Sequence, residues 1–185
     1  MKRLQRCTVI LSLAEALLQR DSWCGETHIQ KATYFLQELL RVSLGFDYIL
    51  YKHGPFSFDL SDELIAMQAD EIIQLKSRPP YGPSIIPGPN SERLKQLFPI
   101  TLQKYKERVE FVAKELGSFG VADLERTATA LYVTLKDTTL GDDKIEERAL
   151  LINKLKPHIS IENARLSLEN GKGIREKAKS LIGIG

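Results

Sequence analysis

The side chains of this sequence best suited to binding metals or moving protons are three histidines, His28, His53 and His158, and two cysteines, Cys7 and Cys24. Their spacing argues against a shared centre. No histidine pair falls at the HxxxH or HExxH interval that puts two ring nitrogens on one helix face, and neither cysteine pairs with a histidine or with the other at ligand spacing. Two buried, idle thiols in a reducing compartment are therefore expected. Nucleophilic catalysis lacks a GxSxG elbow. The stretch "NGKGIR" at 170–175 has neither the P-loop interval nor a preceding strand, so it reads as a break between two helices. The expectation is no catalytic residue, no metal, no cofactor and no enzyme activity. His53, beside Gly54-Pro55, reads as a residue that bonds backbone within a turn.

A second group of polar residues could form a site. Gln30, Lys31 and Tyr34 lie within little more than one helical turn, and a strand returning across that helix would bring Tyr51, His53 and Ser57 to them. The cluster is either a functional polar site or a set of bonds to the Gly54-Pro55 turn that holds the fold together. Charge is also unevenly placed. Asp59, Asp62, Glu63, Asp70 and Glu71 fall in 57–71, a stretch without Lys or Arg, which would repel a phosphate backbone and offers few donors to guanine. Those acids suit a protein partner. Lys2, Arg3 and Arg6 at the start, and Lys172, Arg175, Lys177 and Lys179 at the end, are either solvated helix ends or together a patch for weak nucleic-acid binding.

Periodicity predicts the elements that must position these residues. Leu4, Cys7, Ile10, Leu11, Ala14, Leu17 and Leu18 repeat at three and four, opposite a polar stripe of Gln5, Thr8, Ser12, Glu15 and Gln19, so the chain should open on an amphipathic helix ending near Arg20 and not on a secretory leader. Thr27 and Gln30 have the capping-box interval for a second helix that Gly45 stops. Tyr48–Tyr51 reads as one strand, His53–Phe56 as a sharp turn, and Ser57 or Asp59 as the cap of a third helix burying Leu60, Leu64, Met67 and Ile65. Residues 72–76 and 81–86 form a hairpin around Arg78-Pro79-Pro80. After the breaker-rich "RPPYGPSIIPGPN" only helices follow: one from Ser91 that Pro99 bends or ends, then about 102–116, 121–135, 142–155, 161–170 and 174–181. The expected fold is mainly α with a small β wing, an α+β chain with a winged-helix-like unit at 1–89 and a helical unit at 90–185 packed on it as one body.

Bulk properties fit a globular chain of the cytoplasm: 185 residues, 43% hydrophobic, 27% charged, formal net charge +2, and no apolar run long enough for a bilayer. With so little net charge, any anion-binding surface must be local.

The stretches "GETHIQKATYFLQELL" and "YKHGPFSFDLSDEL" resemble the bacterial and archaeal YwgA-type family, related to the Panacea (SocA-like antitoxin) domain. The likeness rests on Gln30, Lys31, Tyr34 and Phe35, on Tyr51, Gly54, Pro55, Phe56, Ser57 and Leu60, and on "DLERTATALYV" and "LKPHISIENA" further on. It implies a winged-helix-like fold with helical additions, no enzyme activity, and a group partly linked to toxin neutralisation. One departure stands out: where the family leads one to expect a glycine before the first wing strand, this chain has Ala69-Asp70-Glu71. Two functions follow: a protein-binding regulator, antitoxin-like or part of a multi-protein system, and, as the alternative, a winged-helix DNA- or RNA-binding regulator using the terminal basic clusters.

Overall fold

A computed structural model describes residues 1–137, 141 and 144–183. The chain is mainly helical, with two small antiparallel sheets of two strands each. Its contacts divide it into two units, one of residues 1–48 and 57–119, the other of 49–56 and 120–185. The division expected at residue 89 does not match this grouping.

In the first unit, α1 (Arg3–Leu18) is the central helix. Cys7, Val9, Ile10, Leu11, Leu13, Ala14 and Leu17 are all buried, which points apolar groups in most directions and accounts for its packing against α5 (Pro99–Leu116) and several other elements. The expected polar stripe is interrupted. Thr8 is buried and gives its hydroxyl hydrogen to the Leu4 carbonyl one turn back, at 2.7 Å, which satisfies it inside the core. Helix α2 (Glu26–Tyr34) continues into a π-helical turn, Phe35–Leu39. The capping box expected at its start does not form: Gly25 is the N-cap, no side chain caps the helix, and Gln30 bonds elsewhere.

Helix α3 (Phe58–Ala69) starts at Ser57, whose hydroxyl accepts from the Leu60 N–H at 3.3 Å. It buries Leu60, Glu63, Leu64 and Met67, whereas Ile65, expected in the core, is 65% exposed. Strands β3 (Ile73–Arg78) and β4 (Tyr81–Pro87) make the expected hairpin, with Leu75 opposite Ile85 and an irregularity between Lys76 and Arg78. Its outer strand is covered. The Ile85 N–H donates to the Cys24 carbonyl at 2.8 Å, the Ser84 hydroxyl to the Trp23 carbonyl at 2.6 Å, and the Trp23 indole to the Gly82 carbonyl at 3.0 Å. Helix α4 (Ser91–Leu97) ends before Pro99, which opens α5 at a position where its missing N–H costs nothing. Helices α4 and α5 belong to this unit because α5 lies along α1, with Lys95 and Arg20 ion-paired to Glu15 and Glu110.

The second unit holds a hairpin the sequence did not reveal. Strand β1 (Ile49–Tyr51) pairs antiparallel with β2 (Gly54–Phe56), Tyr51 facing Gly54, so the expected turn at 53–56 is itself mostly strand. Gly54 has φ +82°, which a residue with a side chain seldom adopts. Strand β2 packs on α6 (Val121–Lys136), and α6, α7 (Ile145–Leu155) and α8 (Ile161–Leu181) enclose Ala130, Val133, Ala149, Ile152, Ile159, Ala164 and Leu168. The expected start of α7 at Asp142 lies outside the described residues. Ser160 caps α8, accepting from the Asn163 N–H at 3.2 Å. The break expected at 170–175 is absent: α8 runs straight through Gly171 and Gly173. Each glycine costs a helix only about 1 kcal/mol, and the buried Leu168, Ile174 and Ala178 lie on both sides of them.

Candidate functional site

Of the polar cluster, Gln30, Lys31, Tyr34 and Ser57 fall in the first unit, and Tyr51 and His53 in the second. Gln30 and Ser57 are joined directly. The Gln30 amide accepts from the Ser57 N–H at 3.0 Å and donates to the Ser57 carbonyl at 2.9 Å, all in the interior. Lys31 is almost fully buried, and the ring of Tyr34 meets that of Tyr48 edge-on at 4.9 Å. The Tyr48 hydroxyl donates to the Gln30 carbonyl at 3.4 Å.

The acids of α3 split by face. Asp59 and Asp62 point to solvent with Ile65, and Phe58 is also exposed. Glu63 turns inward and is 6% exposed, gripped by Arg3 Nε at 2.8 Å and Arg6 Nη2 at 2.5 Å, with the Cys7 thiol at 3.5 Å. Burial pushes its carboxyl up, but the Arg6 hydrogen bond, the Arg3 charge and the Cys7 contact outweigh that and hold it below its usual range. Asp70 is paired with Arg3 at 2.9 Å, and Glu71 sits in the turn after the helix. Of the five acids expected to meet a partner, α3 turns Asp59 and Asp62 outward. By the same pairs, Arg3 and Arg6 are engaged within the unit, which leaves Lys2 as the exposed cation of the N-terminal cluster that makes no ion pair among the described residues. Both thiols are buried, and burial pushes each up to about 12, so neither is a ready nucleophile at neutral pH. His28 is likewise interior, held below its usual range by burial against the opposing hydrogen bond it gives to the Phe119 backbone.

Two histidines meet in the second unit. Glu125 of α6, with its side chain 9% exposed, places one carboxylate oxygen 2.8 Å from His158 Nε2 and the other 3.3 Å from His53 Nδ1. The imidazoles are 55% and 68% exposed, so one buried carboxylate orients two solvent-facing rings. Beside them, the Lys156 ammonium donates to the carbonyls of Tyr51 and, at 2.8 Å, Lys52, tying the α7–α8 turn to the hairpin. Burial lowers the pKa of Lys156, and the charge of Glu125 opposes that shift. Asn153 steadies the turn by donating to the Ile159 carbonyl at 2.8 Å. Tyr51 packs against Phe56 at 5.8 Å. His53 therefore bonds a side chain across the unit and not the backbone of its own turn. Among the described residues no group of three or more His, Cys, Asp or Glu is arranged to hold a metal ion. Continuity of α8 puts Lys172, Arg175 and Lys179 on one helix face, with Lys177 off it; Arg175 and Lys177 already interact with other groups.

No family model, curated protein or solved structure matches this chain. No helix of the described residues is long and apolar enough to cross a membrane.

Glu125 and Lys156 escaped the reading by residue type, because each is far in sequence from His53 and neither spacing marks a site. Both lie in the two stretches, "DLERTATALYV" and "LKPHISIENA", that carry the later part of the family resemblance.

Proposed function

We propose that the chain is a non-enzymatic, winged-helix-like regulatory module of the cytoplasm, similar to the YwgA-type and Panacea (SocA-like antitoxin) proteins, and that α3 docks a protein partner. One observation carries this reading: α3 has no Lys or Arg and turns Asp59, Asp62 and the 65% exposed Ile65 outward. An exposed large aliphatic that follows two carboxylates along the helix surface fits a partner segment with basic groups beside an apolar one, where desolvation of the apolar contact supplies most of the affinity. A toxin or a component of a multi-protein system is such a partner. Co-purification tests it: a protein retained by the native chain should be lost from Ile65→Asp while the melting temperature stays put. A partner retained equally by that variant would remove α3 from the interface.

The second reading, a DNA- or RNA-binding regulator, draws support from the alignment of Lys172, Arg175 and Lys179 along α8. Under it, neutralising those three should weaken nucleic-acid binding uniformly across sequences and flatten its dependence on salt.

A further inference from the structure

We infer that the cleft formed by the start of α1, the π-helical turn and the 41–45 loop is a binding site for a small oxyanion, a phosphate or carboxylate compound. The cleft measures about 540 Å³, and its lining includes Arg6 and Arg41 but no Asp or Glu. That volume suits a small ligand, for which about 300–1,000 Å³ is usual. The lining charge suits an anion.

Arg6 forms a fixed wall. Its guanidinium lies 4.8 Å from the Phe46 ring centre, gives one hydrogen bond to the Leu44 carbonyl at 3.3 Å and another to Glu63 at 2.5 Å, and its buried Nε–H makes none. Gln37 fixes a second wall: its amide accepts from the Phe46 N–H at 2.9 Å and donates to the Phe46 carbonyl at 2.7 Å. Little reorganisation is needed at either wall, which favours binding.

Arg41 supplies the exposed charge. It is exposed and makes no hydrogen bond or ion pair among the described residues. Its φ of +54° is one that glycine adopts with less strain, and the Val42 N–H after it closes the helix end on the Leu36 carbonyl at 3.0 Å. Glycine would finish this helix better, so an arginine here gives up stability to place a guanidinium at the cleft mouth. Such strain collects at ligand sites. The planar fork of Arg41 would grip two oxygens of the anion, with Arg6, its charge shared with Glu63, as the fixed wall behind them.

Amide NMR titrations with inorganic pyrophosphate and with citrate, at matched ionic strength, test the site. Saturable shifts confined to residues around Gln37, Arg41 and Ser43 are expected with at least one of them, and which one binds tells phosphate from carboxylate chemistry. Arg41→Gly should weaken that binding about tenfold or more, with thermal stability equal or higher, a pairing that a merely structural arginine would not produce. Shifts spread over all basic surfaces, no saturation with either anion, or undiminished affinity in Arg41→Gly would overturn the inference.

Discussion

The Gln30 side chain holds the backbone of Ser57 by both its N–H and its carbonyl, at 3.0 and 2.9 Å, inside the protein. Ser57 is also the cap of α3, so one amide of α2 fixes where that helix begins. Gln30→Leu would strand the buried Ser57 N–H at a cost of about 1–3 kcal/mol, while the Ser57 carbonyl keeps the Ser61 N–H at 3.2 Å. Gln30→Glu should be no rescue, since a carboxylate accepts from the N–H but meets the carbonyl oxygen with another oxygen. Chemical denaturation of both variants checks this, with a large fall in midpoint expected for each.

Glu63 gives the first unit an acid-sensitive joint. Its folded-state pKa lies below the ordinary value, so its contribution is complete above the unfolded value of about 4.3 and is lost as pH falls from there through the lower folded value. Stability measured against pH should decline in that window for the native chain and decline less for Glu63→Gln. At neutral pH the same variant should cost about 2 kcal/mol through the loss of charge-assisted bonds to Arg3 and Arg6. Reversing Glu63 is accordingly no probe of the partner surface.

The turn from α3 to β3 uses a left-handed Glu71, φ +57°, where the family resemblance called for glycine. The Ile72 N–H caps the Met67 carbonyl at 2.9 Å across it. Glu71→Gly should therefore raise stability by about 0.5–1 kcal/mol. Gly88 has the opposite requirement: a Cβ there would lie 2.4 Å from the Glu71 carbonyl oxygen, so Gly88→Ala should lower the melting temperature clearly.

Helices and the β3–β4 hairpin were legible because their signals are local. Leu60, Leu64 and Met67 mark one face of α3, Ser57 its cap, and Pro99 the end of α4. What the sequence hid depends on distant partners. Thr27-x-x-Gln30 has the form of a cap, but the Gln30 amide finds a better use on Ser57, 27 positions away. Gly171 and Gly173 look like a break, yet burial of Ile174 and Ala178 keeps α8 whole. Glu63 reads as one surface acid among five until Arg3 and Arg6 fold back over it. The Glu125 carboxylate between His53 and His158 joins three segments that no spacing rule connects.

A photo-crosslinking residue in place of Ile65 on α3, with a second chain carrying it in place of Lys172 on α8, tests the central claim inside the source cell. Exposed first-turn charges cost a helix only tenths to about 1 kcal/mol, so Asp59→Lys with Asp62→Lys serves as a folded control. Position 65 should give one discrete protein adduct that this control abolishes, and position 172 should give none of comparable yield. Nucleic acid crosslinked at position 65, or a protein adduct there that survives the charge reversal undiminished, would contradict the account.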